Sequence, residues 1–197
     1  MCLLLETIKI QNRIPCQIDL HNDRMNYSRS RIFGSPERID LRTALKIPSG
    51  LSDSVFKCRI VYQENIRTIE FLPYQPRTIR SLRLVRGDDL DYGHKYLDRT
   101  RIDQLLEHCG ADDILILKGK TITDASFANV AFFDGTKWFT PSTPLLKGTK
   151  RQLLLDSGML QEDDLTVHDL GRFQKAVLIN AFLDLDERAS IDIKNII

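Results

Sequence analysis

Lys95 stands at the end of a polar stretch, Tyr92-Gly93-His94-Lys95, directly before an amphipathic run. A lysine there is open to two readings. It is a solvated charge beside a helix start, or a nucleophile whose ammonium pKa is lowered by partial burial so that its lone pair is freed. Other chemistry-bearing residue types narrow the options. The four histidines (His21, His94, His108, His168) and four cysteines (Cys2, Cys16, Cys58, Cys109) show no CxxC pair and no ligand-like spacing, so no metal site is expected. Scattered cysteines without a disulfide framework fit a reducing, cytoplasmic setting. Asp124, before Ala-Ser-Phe, reads by itself as a turn aspartate, a common use of that side chain. Arg24 by itself reads as an exposed helix arginine.

The chain that must position these residues has 197 residues, 42% hydrophobic and 28% charged, with a formal net charge of +1. That profile describes a soluble globular chain, one large domain or two small lobes, able to bury roughly 70% of its unfolded surface. Near-neutral charge argues against a nucleic-acid footprint, which needs a clear basic excess. The basic run Arg77–Arg86 alternates with apolar residues and reads as one solvated strand face. No segment approaches the roughly 20 apolar residues of a membrane span. Along the chain, "LLETIKI" and "IPCQIDL" predict two short strands, and "HNDRMNYSRSRIFG" a helix ended by Gly34. Ser35-Pro36 offers a cap and first-turn proline for a helix over "PERIDLRTAL". Three strand candidates follow, in 54–63, 66–74 and 77–85. Residues 1–85 thus read as a small, mostly antiparallel α/β lobe, and residues 86–197 as a β-rich lobe with packed helices. In the second lobe Ile102, Leu105, Leu106 and Cys109 mark one helix face, "DDILILKG", "ANVAFFDG" and "KWFTP" mark strands, and a glycine opens the helix "TKRQLLLDSG".

Five stretches, in order, resemble motifs of the class IV pyridoxal-phosphate enzymes, which include aminodeoxychorismate lyases and branched-chain and D-amino-acid aminotransferases. "LLETIKI" resembles the family's Phe-Glu-Thr strand and "LHNDRM" its His-x-x-Arg-Leu helix start. "HKYLDR" resembles the segment of the cofactor lysine, and "TITDASFANVAFF" the segment with an acidic residue and a later Asn. "TPLLKGTKR" resembles the phosphate-binding turn.

The resemblance implies an α+β, two-lobed, fold-type-IV architecture and pyridoxal 5'-phosphate as cofactor. It implies that Lys95 supplies the amine that links to the cofactor and that Asp124, where most relatives have Glu, faces the ring nitrogen. Gly148, Thr149 and Lys150 would cradle the phosphate at a helix N-terminus, where unpaired N–H groups and the helix dipole favour an anion. Arg24 would clamp the same phosphate, and Asn180 and Ala181 would form a second phosphate-contacting turn or a plain strand end. Arg99, four residues after Lys95, matches a Lys-x-Leu-Asn-Arg pattern of the lyase branch, with Asp98 in place of Asn, and is a candidate substrate contact. The resemblance leans to a lyase that releases pyruvate from aminodeoxychorismate to leave 4-aminobenzoate for folate synthesis. The alternatives are a class IV aminotransferase, or a non-catalytic partner domain, suggested by a chain that starts almost at the Phe-Glu-Thr-like strand. A small amino-acid-like substrate and a homodimer are implied, with neither nucleic acid nor membrane as partner.

Overall fold

The computed structural model of the chain describes residues 2–197. Two compact units emerge, Met1–Pro76 with His94–Asp98, and Arg77–Gly93 with Arg99–Ile197.

In the first unit, β1 (Leu4–Gln11) buries Leu4, Glu6, Ile8 and Ile10 on one face, as the two-residue period of a strand dictates. It pairs antiparallel with β2 (Ile14–Pro15) at one end and with β3 (Phe56–Tyr62), which in turn pairs with β4 (Ile66–Pro73). Pro15 has no N–H to extend the pairing. Gln17 then takes a left-handed conformation, φ 53°, and helix α1 (Ile18–Phe33) begins. The second strand expected from "IPCQIDL" is therefore only two residues long, and its second half is helix. α1 sets Met25 against Leu4, Ile8, Ile10 and Ile60, all fully buried. Each such aliphatic side chain contributes about 1.5–3 kcal/mol on burial.

The helix expected over "PERIDLRTAL" shrinks to α2 (Leu41–Ala44), capped by Asp40, whose Oδ1 accepts from Arg42 N at 2.9 Å. The residues before it are held in a non-helical path by α1. Asn26 makes a reciprocal pair with the Ile39 backbone, both bonds 2.8 Å, and Arg29 donates to Glu37 O at 2.7 Å. Tertiary hydrogen bonds here override local helix signals.

In the second unit, β5 (Leu82–Arg86) pairs parallel with β6 (Asp113–Lys118), which pairs antiparallel with β7 (Thr121–Ala125). Helix α3 (Thr100–Leu106) separates β5 from β6 in the chain. A five-stranded sheet contains β8 (Asn129–Phe133), β9 (Trp138–Pro141), β10 (Gln161–Asp163), β11 (Lys175–Ile179) and β12 (Ile191–Asp192) in the order β10-β9-β8-β11-β12. Helix α4 (Thr149–Asp156) lies between β9 and β10 in the chain. The main core gathers Leu115, Ile122, Val130, Phe132, Phe173 and Leu178 around these sheets.

The α+β class is as expected. The division is different. Arg77–Val85, expected in the first lobe, groups with the second unit because β5 finds its partner in β6 and Leu84 N donates to Ile197 O at 2.7 Å. His94–Asp98, expected in the second lobe, groups with the first. No helix among the described residues is long and apolar enough to cross a membrane.

Candidate active site

The first unit carries a charged residue where the strand period calls for an apolar one. Glu6 is fully buried between Leu4 and Ile8 on the inner face of β1. Burying a carboxylate is costly unless charged or strong donors meet it, and α1 supplies them one turn apart. Arg24 binds it two-pronged, Nε to Oε1 at 2.8 Å and Nη2 to Oε2 at 2.6 Å. His21 Nδ1 lies 2.7 Å from Oε2. Burial works to raise the Glu6 pKa, yet the Arg24 charge and the hydrogen bonds from His21 and Arg24 outweigh it and hold it at about 2. For His21 burial wins. With the help of the Arg24 and Lys95 charges it pushes the imidazole below its ordinary range against the pull of Glu6. The contact is thus a hydrogen bond from a neutral ring, with Nδ1 as the protonated nitrogen because an ionised carboxylate only accepts.

Lys95 reaches this cluster through the backbone. Beyond the reach of β2, the edge of β1 is covered by Lys95–Leu97: Leu5 N donates to Lys95 O and Leu97 N to Leu3 O, both at 2.9 Å. On the other flank His94 Nδ1 pairs with the buried Ser28 Oγ of α1 at 2.9 Å, and the His94 ring stacks on Tyr27 with centroids 5.9 Å apart. The lysine is half-buried, with its backbone tied to the strand that carries Glu6 and its neighbour tied to the helix that carries Arg24.

The second unit positions Asp124 on β7, a strand rather than the turn that the aspartate alone suggests. It is 5% exposed. Its Oδ1 accepts from Asn129 Nδ2 at 2.7 Å and its Oδ2 from Leu146 N at 2.9 Å. Burial raises its pKa to about 6, while the Leu146 amide, the Asn129 side chain and the Arg151 charge work in the opposite direction. The β7–β8 loop is fastened from below by Asp113, fully buried, which accepts from Ser126 N at 3.1 Å and Ser126 Oγ at 2.9 Å. Arg99 serves the same loop. Its Nη2 donates to Ser126 O at 2.9 Å and lies 3.6 Å from Asp103.

Gly148 opens α4 with no side-chain cap. A Cβ there would come within 2.1 Å of Asn129 Oδ1, so only glycine fits. Thr149, Lys150 and Arg151 follow as buried residues of the first turn. The Lys150 side chain pairs with Asp184. Arg151 donates to Pro141 O at 2.8 Å and Glu162 Oε1 at 2.5 Å. Asn180 sits just past β11, and its Oδ1 accepts from Phe182 N and Leu183 N, at 2.8 and 3.1 Å, closing a turn that contains Ala181.

The first unit thus brings Lys95 and Arg24 to one cluster. The second brings Asp124 and the Gly148 turn to another, with Arg99 fastening its loop. Four residues of these clusters carry no expected role in the sequence: Glu6, His21, Asn129 and Arg151. For Glu6 a signal existed, since a charged residue shares strand parity with Leu4, Ile8 and Ile10. Asn129 is the later Asn of the "TITDASFANVAFF" resemblance, but its partners lie in segments remote in sequence and could not be read from it.

The family model for amino-transferase class IV matches residues 3–185. The chain belongs to that family. An uncharacterized protein of Haemophilus influenzae is 36% identical over 181 residues, which cover 90% of this class IV chain and 96% of that relative. Among solved structures, a provisionally named 4-amino-4-deoxychorismate lyase of Haemophilus somnus 129PT superposes with a TM-score of 0.85 at 30% identity, covering 94% of this chain and 98% of that one. A hypothetical aminotransferase of Mycobacterium tuberculosis in its pyridoxal-phosphate-bound form shares the fold, with a TM-score of 0.76 at 18% identity over 91% of this chain and 78% of the other. The architecture is that of the fold-type-IV enzymes, and class IV proteins are pyridoxal-phosphate-dependent enzymes.

Proposed function

We propose that this class IV protein is a pyridoxal-phosphate-dependent lyase that releases pyruvate from 4-amino-4-deoxychorismate and leaves 4-aminobenzoate, a step of folate synthesis. The observation that carries the reading is the near full-length likeness to the Haemophilus somnus protein, joined to the Lys95-Tyr-Leu-Asp-Arg99 segment. On this reading the protein works in the cytoplasm as a homodimer on a small amino-acid-like substrate.

The residues present fit the cofactor. Asp124 is a buried acid whose two oxygens each accept one neutral donor, and a carboxylate can accept further bonds. The uncapped start of α4 at Gly148 offers backbone N–H groups to a dianion. When bound, pyridoxal phosphate supplies a ring that withdraws electrons from the carbon bearing the substrate's amine. Asp124 would face the ring nitrogen and keep its proton in place. The amine of Lys95 would link to the cofactor and would serve as general base and acid, taking a proton from that carbon and returning one to the departing pyruvate. Aromatisation of the remaining ring drives the release.

Gly148, Thr149 and Lys150 bind phosphate through the backbone, while the Lys150 ammonium is directed to Asp184. Arg24, whose guanidinium is held two-pronged by Glu6, would also clamp the phosphate. Asn180 and Ala181 contribute through their turn, and Arg99 acts on substrate by fixing the loop after Asp124.

Two measurements test the reading. Purified protein with pyridoxal phosphate should be yellow, and borohydride should fix the cofactor in wild type but not in Lys95→Ala. Pyruvate should appear from aminodeoxychorismate with no keto acid added. Turnover that requires a keto acid would mark an aminotransferase instead. Colourless protein that takes up no cofactor would mark a non-catalytic partner domain.

A further inference from the structure

Asn129 joins two parts of the second unit that come from different stretches of chain. It is 5% exposed at the start of β8, and both ends of its amide are committed. Nδ2 donates to Asp124 Oδ1 at 2.7 Å and to Leu146 O at 2.8 Å. Leu146 N closes the ring by donating to Asp124 Oδ2 at 2.9 Å. Oδ1 of the same amide rests on Gly148, so close that a methyl group there would stand 2.1 Å from it. One side chain therefore touches the acid on β7, the loop at Leu146 and the first residue of the α4 turn. Buried amides are rigid in this way only when every donor is used, and a satisfied buried network specifies one geometry.

We propose that Asn129 is a positioning residue that sets the spacing between the Asp124 carboxylate and the anion-binding turn at Gly148, so that one rigid ligand with an aromatic nitrogen at one end and a phosphate at the other meets both at once. This rests on the cofactor reading above. A flat ring with a short phosphate-ester arm spans only a narrow range of nitrogen-to-phosphate separations, so two binding groups that drift independently engage it poorly. Holding geometry to within about half an ångström needs a locked supporting shell of this kind. Asn129 also acts on Asp124 electrostatically. Around that carboxylate, Arg151 of α4 is the charged group, while Asn129 from β8 and the Leu145 and Leu146 amides are neutral donors, and all of them favour its ionised form. Loss of the Asn129 donor therefore leaves Asp124 protonated to higher pH and less able to hold a ring-nitrogen proton.

The test is a titration of pyridoxal phosphate, followed by absorbance and repeated across pH, in wild type, Asn129→Ala, Gly148→Ala and the double variant. Losing a hydrogen bond to a charged group should weaken cofactor binding about ten- to a hundredfold in Asn129→Ala. The pH midpoint at which the bound cofactor loses its ring-nitrogen proton should fall with it. Gly148→Ala should weaken binding strongly in the native background but far less on top of Asn129→Ala, because the atom it collides with is gone. Equal effects in both backgrounds, or an unmoved pH midpoint, would overturn the proposal. If Asn129→Ala does not fold cooperatively, Gly148→Ala carries the test, since its Cβ must displace the Asn129 amide and move the same midpoint. Wild-type protein that takes up no pyridoxal phosphate would overturn the functional reading and this inference together. Normal wild-type uptake with unchanged variants would overturn the inference and leave the reading standing.

Discussion

Glu6 and Asp124 are both carboxylates taken out of water, and their pKa values move in opposite directions. Glu6 is met by a two-pronged arginine and a neutral imidazole and is held at about 2. Asp124 is met by neutral donors, Asn129 and the Leu145 and Leu146 amides, with the Arg151 charge beside them, and burial lifts it to about 6. A guanidinium in contact decides the difference, because hydrogen bonds to an ionised partner are roughly twice as strong as neutral ones. A permanently ionised Glu6 suits a structural anchor for Arg24. An Asp124 raised by burial would suit the proposed role, in which a cationic ring nitrogen would supply the missing charge.

The largest effect should come from removing the counter-charge. Arg24→Ala leaves Glu6 buried with His21 alone, and breaking a buried pair in this way costs about 3–5 kcal/mol. Denaturant unfolding should show that loss, and the double variant Arg24→Ala/Glu6→Gln should recover part of it. Simple additivity of the two changes would deny the coupling. Arg24 thus has a structural task beside the one proposed towards phosphate, and cofactor affinity is better compared in the double variant, where the stability loss is smaller.

The two acids should also leave opposite marks on stability against pH. Glu6 has a folded pKa below its ordinary 4.5, so its contribution is full above about pH 4.5 and is lost as pH falls through about 2. Asp124 has a folded pKa above its ordinary 3.8, so its contribution is full below about pH 4 and is lost as pH rises through about 6. Each shift, of about two pH units, corresponds to about 3 kcal/mol. In cofactor-free protein, Asp124→Asn should therefore be more stable than wild type at pH 7 and equal to it at pH 4. Equal stabilities at both pH values would mean that Asp124 is not strained by its burial. In the loaded protein the same variant should keep its cofactor and turn over far more slowly, since an amide cannot hold the ring proton.

A smaller effect is expected at His21. His21→Ala removes one donor to Glu6 while Arg24 remains, so the loss of hydrogen bonding should be about 1.5–3 kcal/mol, below that of Arg24→Ala. Thermal unfolding of the two variants side by side checks the order. If His21→Ala were the more damaging, the imidazole and not the guanidinium would be the main support of Glu6.

Local sequence determined the elements that have strong periods and the residue types that pyridoxal phosphate needs. The alternation in "LLETIKI", the helix face of Ile102, the strand "DDILILKG" and the glycine before "RQLLLDSG" are all visible as patterns because they depend on neighbours within one turn or one strand. Tertiary structure alone decided the rest. It ended β2 at Pro15, kept Ser35–Ile39 out of a helix through Asn26 and Arg29, and moved β5 to β6, since each of these depends on contacts with distant segments. It likewise turned two separate motifs, the strand with Glu6 and the helix with His21 and Arg24, into one ion-paired cluster, and made Asn129 the link between Asp124 and Gly148. A residue's type states what it can donate or accept. Which partner it meets, and hence its charge, is settled only when burial removes water as the alternative.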